Sequence, residues 1–310
     1  MRPYVSPEVA VLAVGGTMLA GVYLVAVLDR LLGSVVAGTP VRWRVLLLEP
    51  AQSVALLMLQ QPSATERNDA AGWALAPALF AGLAAVSLAL VPLDADLVVA
   101  DPATGFVVFS AAIAMVMIAV YLHGWSPNSA FPLHGAYRYS AEALSFQIPF
   151  LLAMLATAIP AQSLSMVDIA ASQESLWNVV RTPLGLPLYL VVGVGVSFWG
   201  PLNLPDAADL AEGTSLEDGG VARLLWETAR AGMLVAVAAM GAATFLGGWW
   251  GPLLPGPVWV ILKTLALLLA LVASGHLLAR VRIERFVVVC WVILIPLALF
   301  NVFLSGAFFL

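Results

Sequence analysis

The chain has 310 residues, of which 62% are hydrophobic and 10% are charged, and its formal net charge is −5. Because a soluble domain usually carries about 25% charged residues, this composition excludes an ordinary soluble protein and predicts a membrane protein, in agreement with a mean hydropathy of +0.99. The acidic balance argues against a partner nucleic acid. Cys290 is the single cysteine and the three histidines are scattered, so we expect neither an iron–sulfur cluster nor a metal site on this chain.

Eight apolar stretches are long enough to cross a hydrocarbon core about 30 Å thick, which needs about 20 residues. The first follows "MRPYVSPEVAVLAV", where one Arg, a Pro and a Glu precede the apolar run and no small-residue cleavage site follows. We therefore interpret it as a retained helix, with a signal peptide as the alternative. The predicted all-α bundle has spans at about 8–28, 71–92, 104–123, 144–162, 184–202, 231–252, 256–277 and 287–309.

Basic residues predict the orientation of these spans, because cytoplasmic loops carry an excess of Arg and Lys. The amino terminus and the even-numbered loops hold only Arg2 and Arg181, and Lys263 lies within the seventh span. The odd-numbered loops hold the other ten: Arg30, Arg42, Arg44, Arg67, Arg138, Arg223, Arg230, Arg280, Arg282 and Arg285. Both termini are therefore expected to be non-cytoplasmic.

A single transmembrane domain over 1–310 is the simplest organisation. Its cytoplasmic loops are predicted at about 29–70, 124–143, 203–230 and 278–286, and they hold most of the acidic residues as well. No internal repeat and no inverted pair of broken helices is evident, which argues against a transporter of the usual kind.

Several ordered motifs resemble one family of membrane proteins. "HGWSPNSAFPLHGAYRYSAEALSFQIPF" (123–150) is similar to a family pattern of Gly-Trp-Ser-x-Asn-Ser, then Gly-x-x-Arg, then Ser-Tyr-Glu. "PLNLPDAADLAEG" (201–213) resembles Pro-Phe-Asp-Leu-Pro-Glu-Ala-Glu-x-Glu-Leu-x-x-Gly, and "EDGG" (217–220) resembles Glu-Tyr-Gly-Gly. "FLGGWWGP" (245–252) and "ARVRIERFVVVCWVILIP" (279–296) follow in the expected order. The family is membrane subunit 1 of complex I, the NADH-quinone oxidoreductase, which in bacteria is the H-type subunit.

The resemblance implies a quinone-chamber and proton-coupling subunit. In that family the cytoplasmic loops wall the chamber that ubiquinone or menaquinone enters, and they dock a peripheral arm that carries the iron–sulfur clusters. Acidic residues lead from the chamber toward antiporter-like membrane subunits. The implied protein is an integral membrane subunit of a bacterial plasma membrane that holds no redox centre and is not an enzyme alone. Quinone would be its substrate, and NADH or another reductant would be the electron donor. Its partners would be the lipid bilayer, the iron–sulfur subunits of the peripheral arm and the antiporter-like membrane subunits.

This sequence departs from the family pattern mainly at charged positions. The family's Glu-Thr-Asn-Arg is replaced by Val196 to Trp199, its Asp-Leu-Pro aspartate by Asn203, and the Glu of Ser-Tyr-Glu by Gln147. Arg230 stands where the family has a Glu. An ionisable group inside a membrane is costly and usually functional. These changes therefore leave fewer acidic residues for the proton route that the resemblance implies, and they indicate a divergent assembly.

The candidate residues for the quinone chamber and coupling each have a structural alternative. The carboxylates could form a solvated face, Arg282 and its neighbours could be topological anchors, and Asp29 with Arg30 could be an interfacial pair. Arg138 and Glu142 could pair along a helix, or Glu142 could replace the carboxylate lost at Gln147. The residues that we select are Asp29, Arg30, Arg138, Glu142, Asp206, Asp209, Glu217, Arg282 and Glu284, together with Lys263 as a possible buried relay that could also snorkel.

Two other functions remain open on the sequence. The chain could anchor a membrane-bound hydrogenase or formate hydrogenlyase, or it could be a stand-alone transporter. Iron–sulfur and antiporter-like subunits that co-purify with the chain would favour either of the two multisubunit complexes over the transporter.

Overall fold

The computed structural model describes residues 6–61, 63–206 and 213–307, so Asp209 of the predicted acidic cluster lies outside the described residues. Within those ranges the chain is helical and has no strand, which confirms the predicted all-α fold. A π-helical turn at Cys290–Leu294 joins the last two helices, and a 3₁₀ turn covers Gly200–Leu202. The helices are α1 (Pro7–Val36), α2 (Trp43–Leu59), α3 (Ala70–Ala89), α4 (Gly105–Trp125), α5 (Ala130–Ala161), α6 (Met166–Ala171), α7 (Asn178–Arg181), α8 (Gly185–Val196), α9 (Gly220–Phe245), α10 (Gly256–Leu277), α11 (Ile283–Val289) and α12 (Ile295–Ala307).

Seven helical segments in the described part of the chain are long and apolar enough to cross a membrane. They are α1, α3, α4, α5, α9, α10 and the combined segment Ile283–Ala307. The fifth predicted span is represented by α8, which has only 12 residues and is therefore about 18 Å long at 1.5 Å per residue. The polytopic bundle is confirmed. Seven of the eight predicted spans are long helices, and the remaining one, α8, is short.

Two helices begin well before the spans predicted from hydropathy. The helix α5 begins at Ala130 rather than at 144, and α9 begins at Gly220 rather than at 231. Their early turns carry Arg138 and Arg223, which lower the local hydropathy without interrupting the helix. The connection between α4 and α5 is therefore the short segment 126–129, and the charges predicted for the third loop lie on a helix.

The centre of the bundle is α9, which packs against α3, α10, α1 and α8. Small residues allow this close packing, because a Cβ added at Gly193 of α8 would lie 2.4 Å from Val237 Cγ1. Tyr189 fixes the same two helices by donating its hydroxyl to the Val237 carbonyl at 2.8 Å. The buried rings of Phe80, Phe198 and Trp226 cluster beside them.

One end of the bundle collects the charged connections, and we call it the basic end. Asp69 donates its backbone N–H to the Ser126 carbonyl at 2.8 Å, and Val281 donates its own to the Pro201 carbonyl at 3.0 Å. Ser63 donates its hydroxyl to the Glu217 carbonyl. These bonds join the four odd-numbered connections into one surface.

Candidate functional site

A pocket of about 590 Å³ opens at the basic end, between the start of α5 and the connection from α10 to α11. Arg138, Arg282 and Glu284 line it, so three of the predicted site residues meet here. The remaining lining residues are Leu204, Arg280, Val281 and Ile283. Guanidinium groups beside apolar side chains suit a ligand that has a polar head and an apolar body.

Glu142 lies on α5 one helical turn beyond Arg138 and is fully buried. Neither carboxyl oxygen of Glu142 has a hydrogen-bond partner among the described residues, so the predicted pairing of Arg138 with Glu142 is not formed. A Cβ added at Gly195 would lie 3.3 Å from Glu142 Oε1, which shows that the carboxyl group points at α8. A buried carboxyl group without a partner is costly and is typical of a functional group.

Asp206 forms an ion pair at the same end of the bundle. Arg230 Nη1 donates to Asp206 Oδ2 at 3.1 Å, and the Ser215 hydroxyl donates to Oδ1. The Arg230 guanidinium also lies over the Trp199 ring, 5.2 Å from its centroid. Asp206 lies in a turn and its charge is neutralised by a residue that stands where the family has a Glu.

Glu217 is held by the segment between α4 and α5, because Ser129 donates its hydroxyl to Glu217 Oε1 at 3.0 Å. The next residue, Asp218, points inward. Trp73 Nε1 donates to Asp218 Oδ1 at 2.7 Å, and His123 Nε2 lies 2.9 Å from Asp218 Oδ2. The loop before α9 is thus fixed to the ends of α3 and α4.

Asp29 and Arg30 each tie the end of α1 to a different helix. His276 Nε2 on α10 lies 2.9 Å from Asp29 Oδ1. Arg30 pairs with Glu49 on α2 at 3.2 Å and donates to Ser53 Oγ at 2.8 Å. These two predicted residues therefore contact α10 and α2 rather than lining the pocket.

Lys263 lies at the opposite end of the bundle from the other predicted residues. Its Nζ donates to the carbonyls of Gly248 and Trp250 at 2.9 and 2.7 Å and lies 4.2 Å from the centroid of the Trp177 ring. Two carbonyls and an aromatic face satisfy a cation without a titratable partner, so these contacts favour a structural role over a relay.

Sequence reasoning missed His123 and Trp73 as partners of Asp218. A lone histidine and a lone tryptophan in apolar helices have no periodic signal of their own. The available signal was Asp218 itself, which stands where the family's Glu-Tyr-Gly-Gly has a tyrosine. Within the described ranges, no group of three or more His, Cys, Asp or Glu side chains is placed to hold a metal ion.

Comparisons with known proteins agree with this architecture. The family model described as NADH dehydrogenase matches residues 10–306, which is nearly the whole chain. The second H-type subunit of the NADH-quinone oxidoreductase of Syntrophobacter fumaroxidans is 30% identical over 274 residues, which cover 85% of this chain and 83% of that protein. The chain therefore belongs to the NADH dehydrogenase family of membrane proteins, the family of complex I membrane subunit 1.

Proposed function

We propose that this chain is the quinone-chamber and proton-coupling subunit of a complex I-type oxidoreductase in a bacterial plasma membrane. It would hold no redox centre, and it would receive electrons for a bound quinone from iron–sulfur subunits docked on the basic end. The observation that carries the proposal is the pocket lined by Arg138, Arg282 and Glu284, with the buried carboxyl group of Glu142 one helical turn away. The name of the Syntrophobacter relative favours quinone chemistry over a hydrogenase anchor or a transporter.

Different residues of the site are suited to quinone binding and to proton movement. Arg138 and Arg282 can donate hydrogen bonds to the carbonyl oxygens of a quinone head group, where negative charge develops during reduction. Glu142 can take up or release a proton in a site from which water is largely excluded. Asp206 and Glu217 are expected to hold the loop before α9 in place, while antiporter-like subunits would receive the coupled charge movement.

The first test of the proposal is the subunit composition of the complex that contains this chain. The tagged chain is purified in mild detergent from its native membrane, and the co-purifying proteins are identified by mass spectrometry. Iron–sulfur and antiporter-like subunits are expected. A chain that is reproducibly stable without them would contradict the proposal and favour the transporter, and a hydrogenase catalytic subunit would favour the anchor function.

The site is tested in the same preparation with a photoreactive quinone analogue. We expect Arg282→Ala to lower labelling and quinone reduction at least about tenfold, the cost of losing a charge-assisted hydrogen bond. Arg285→Ala is the matched control, because Arg285 is a neighbouring exposed cation that is not among the residues lining the pocket. Glu142→Gln should retain labelling and lose proton transport; unchanged transport would exclude Glu142 as a relay.

A further inference from the structure

Asn301 on α12 has a polar side chain that the proposed chamber does not use. It is 0% exposed, and neither its amide nitrogen nor its amide oxygen has a hydrogen-bond partner among the described residues. Ser305, one turn later on the same helix, provides a contrast, because its hydroxyl donates to the Ala156 carbonyl at 2.8 Å. A buried amide group that makes no hydrogen bond is costly, and in folded proteins such a group usually bonds to protein or to water.

The Asn301 amide points at the start of α8. A Cβ added at Gly185, the first residue of α8, would lie 3.3 Å from Asn301 Nδ2 and 3.3 Å from Thr182 Oγ1. Thr182 is also 0% exposed. The two polar atoms are therefore no farther apart than twice this distance. One or two water molecules can bridge such a gap with hydrogen bonds of about 2.9 Å.

The first turn of α8 brings backbone groups to the same place. The first N–H groups of a helix have no partner within the helix. The Gly185 N–H donates to the Thr182 carbonyl at 2.9 Å, and Pro187 has no N–H. Leu186 therefore supplies the remaining N–H donor among the first three residues of α8, and the contacts described for this turn give it no acceptor.

The mixture of donors and acceptors decides which ligand fits. Thr182 already donates its hydroxyl hydrogen to the Asn178 carbonyl at 2.8 Å, so its oxygen can only accept. The Leu186 N–H can only donate, whereas the Asn301 amide can do both. An ion of either sign would suit one kind of group and be repelled by the other, but water donates and accepts. We propose that Asn301, Thr182 and the first turn of α8 bind internal water.

Bound water would give α8 the polar partners that lipid cannot offer. The helix is too short to reach across the hydrocarbon core, and unpaired backbone groups at that depth are costly. A buried water typically makes about three hydrogen bonds to protein groups. An amide, a hydroxyl oxygen and a backbone N–H supply that number here.

The proposed water site is separate from Glu142. Gly195, which faces Glu142, follows Gly185 by ten residues, or about 15 Å along the helix. Three buried apolar residues pack together, one from each of the helices that meet here: Ala153 on α5, Leu188 on α8 and Ala298 on α12. Because Leu188 lies between the two glycines, this apolar cluster separates the water site from the carboxyl group on which the proposed proton movement depends.

The test of water binding is solid-state NMR of the full chain in lipid bilayers with ¹⁵N-labelled asparagine side chains. The chain has five asparagines, and the Asn301 signal is identified by its loss in Asn301→Ser. We expect magnetisation to pass from water protons to the Asn301 amide, as it should to the exposed Asn128, and to do so equally in the control Ser305→Ala. An Asn301 amide that receives no magnetisation from water, while Asn128 does, would overturn the proposal.

The Phe245 ring is the other partner that the amide could use, since its Cε1 lies 2.8 Å from the same Cβ position at Gly185. An N–H group can donate weakly to an aromatic face. An Asn301 amide proton that is shifted upfield by the ring and receives no magnetisation from water would show that contact and overturn the water site.

A matched pair of variants tests the same site by stability. Asn301→Ser and Asn301→Ala leave nearly the same volume and differ by one hydroxyl group. Water at the site can bond the serine hydroxyl, so the unfolding midpoint of Asn301→Ser in detergent should lie closer to that of the unaltered chain. In a dry site a buried hydroxyl brings no gain, and equal midpoints or a higher midpoint for Asn301→Ala would overturn the proposal. Neither measurement uses quinone, so each can fail while the proposed function stands.

Discussion

At the scale of single residues, the contact between Arg230 and Trp199 explains two departures from the family pattern together. The resemblance described above aligns Trp199 with an Arg of the family pattern and Arg230 with a Glu. The two side chains touch in this structure, with the guanidinium 5.2 Å from the ring centroid. In this chain Arg230 supplies the cation at this contact, and Asp206 is its counter-ion.

This exchange predicts a rescue. Arg230→Glu places a carboxylate beside Asp206 and should lower the free energy of unfolding by about 3–5 kcal/mol, as when a buried ion pair is broken. Adding Trp199→Arg restores a cation between the two carboxylates and should recover most of that loss. The measurement is unfolding of the purified chain in mixed detergent micelles.

The control for the rescue is Arg223→Glu, because Arg223 pairs with Glu227 on an exposed helix surface. This substitution should lower the free energy of unfolding by no more than about 1 kcal/mol. A double variant that is no more stable than Arg230→Glu alone would contradict the exchange of roles.

Sequence motifs identify the residues of the pocket, but they do not identify contacts between residues that are distant in the chain. Motifs predict Arg138, Arg282 and Glu284, and the structure brings them to one pocket. The contact of Asp218 with His123 joins residues that are distant in the chain, and no local spacing relates them. Such a pair depends on how α3, α4 and α9 pack, which the sequence alone does not specify.

At the scale of elements, α8 depends on glycine at its contact with α9. A Cβ at Gly193 would lie 2.4 Å from Val237 Cγ1, so the two helices approach at a distance that only a glycine permits. Hydropathy identifies an apolar segment here but does not give its helix length, because the regular helix ends at Val196 before the apolar composition does. By contrast, α10 spans Gly256–Leu277, as predicted.

We therefore expect Gly193→Ala to lower the free energy of unfolding by about 1–3 kcal/mol, the usual cost of overpacking. Gly82→Ala on α3 is the matched control, since a Cβ at Gly82 would meet no atom within 4 Å. There the alanine should be neutral or stabilising by up to about 1 kcal/mol. Equal effects of the two substitutions, measured by the same detergent unfolding, would show that the contact of α8 with α9 is not tight.

In the molecule as a whole, the distribution of basic residues and the helix packing group the same loops at one end of the bundle. The bias in basic residues predicts that the odd-numbered loops share one side of the membrane. The structure joins these connections by hydrogen bonds at the basic end, while Lys263 and its tryptophans lie at the opposite end. Charge counting suffices for this grouping because it depends on segment order and not on how the helices pack.

The predicted orientation is tested by labelling single cysteines in intact cells with a membrane-impermeant maleimide. Leu253 lies exposed between α9 and α10, and Thr39 lies exposed between α1 and α2. We expect Leu253→Cys to be labelled in intact cells and Thr39→Cys only after the membrane is opened. The native Cys290 is buried and provides the unlabelled background. The reverse pattern would place the basic end outside the cell.

The shortness of α8 has a consequence for how the protein is made. A helix about 18 Å long leaves its ends inside a hydrocarbon core of about 30 Å, where free backbone groups are costly. At its start, Thr182 donates its hydroxyl to the Asn178 carbonyl, and Asn178 donates its side chain to the Thr244 carbonyl of α9. The Asn178 side chain therefore gains this partner only after α9 has been synthesised. We expect its insertion to be completed when the later helix arrives, and not when the segment itself leaves the ribosome.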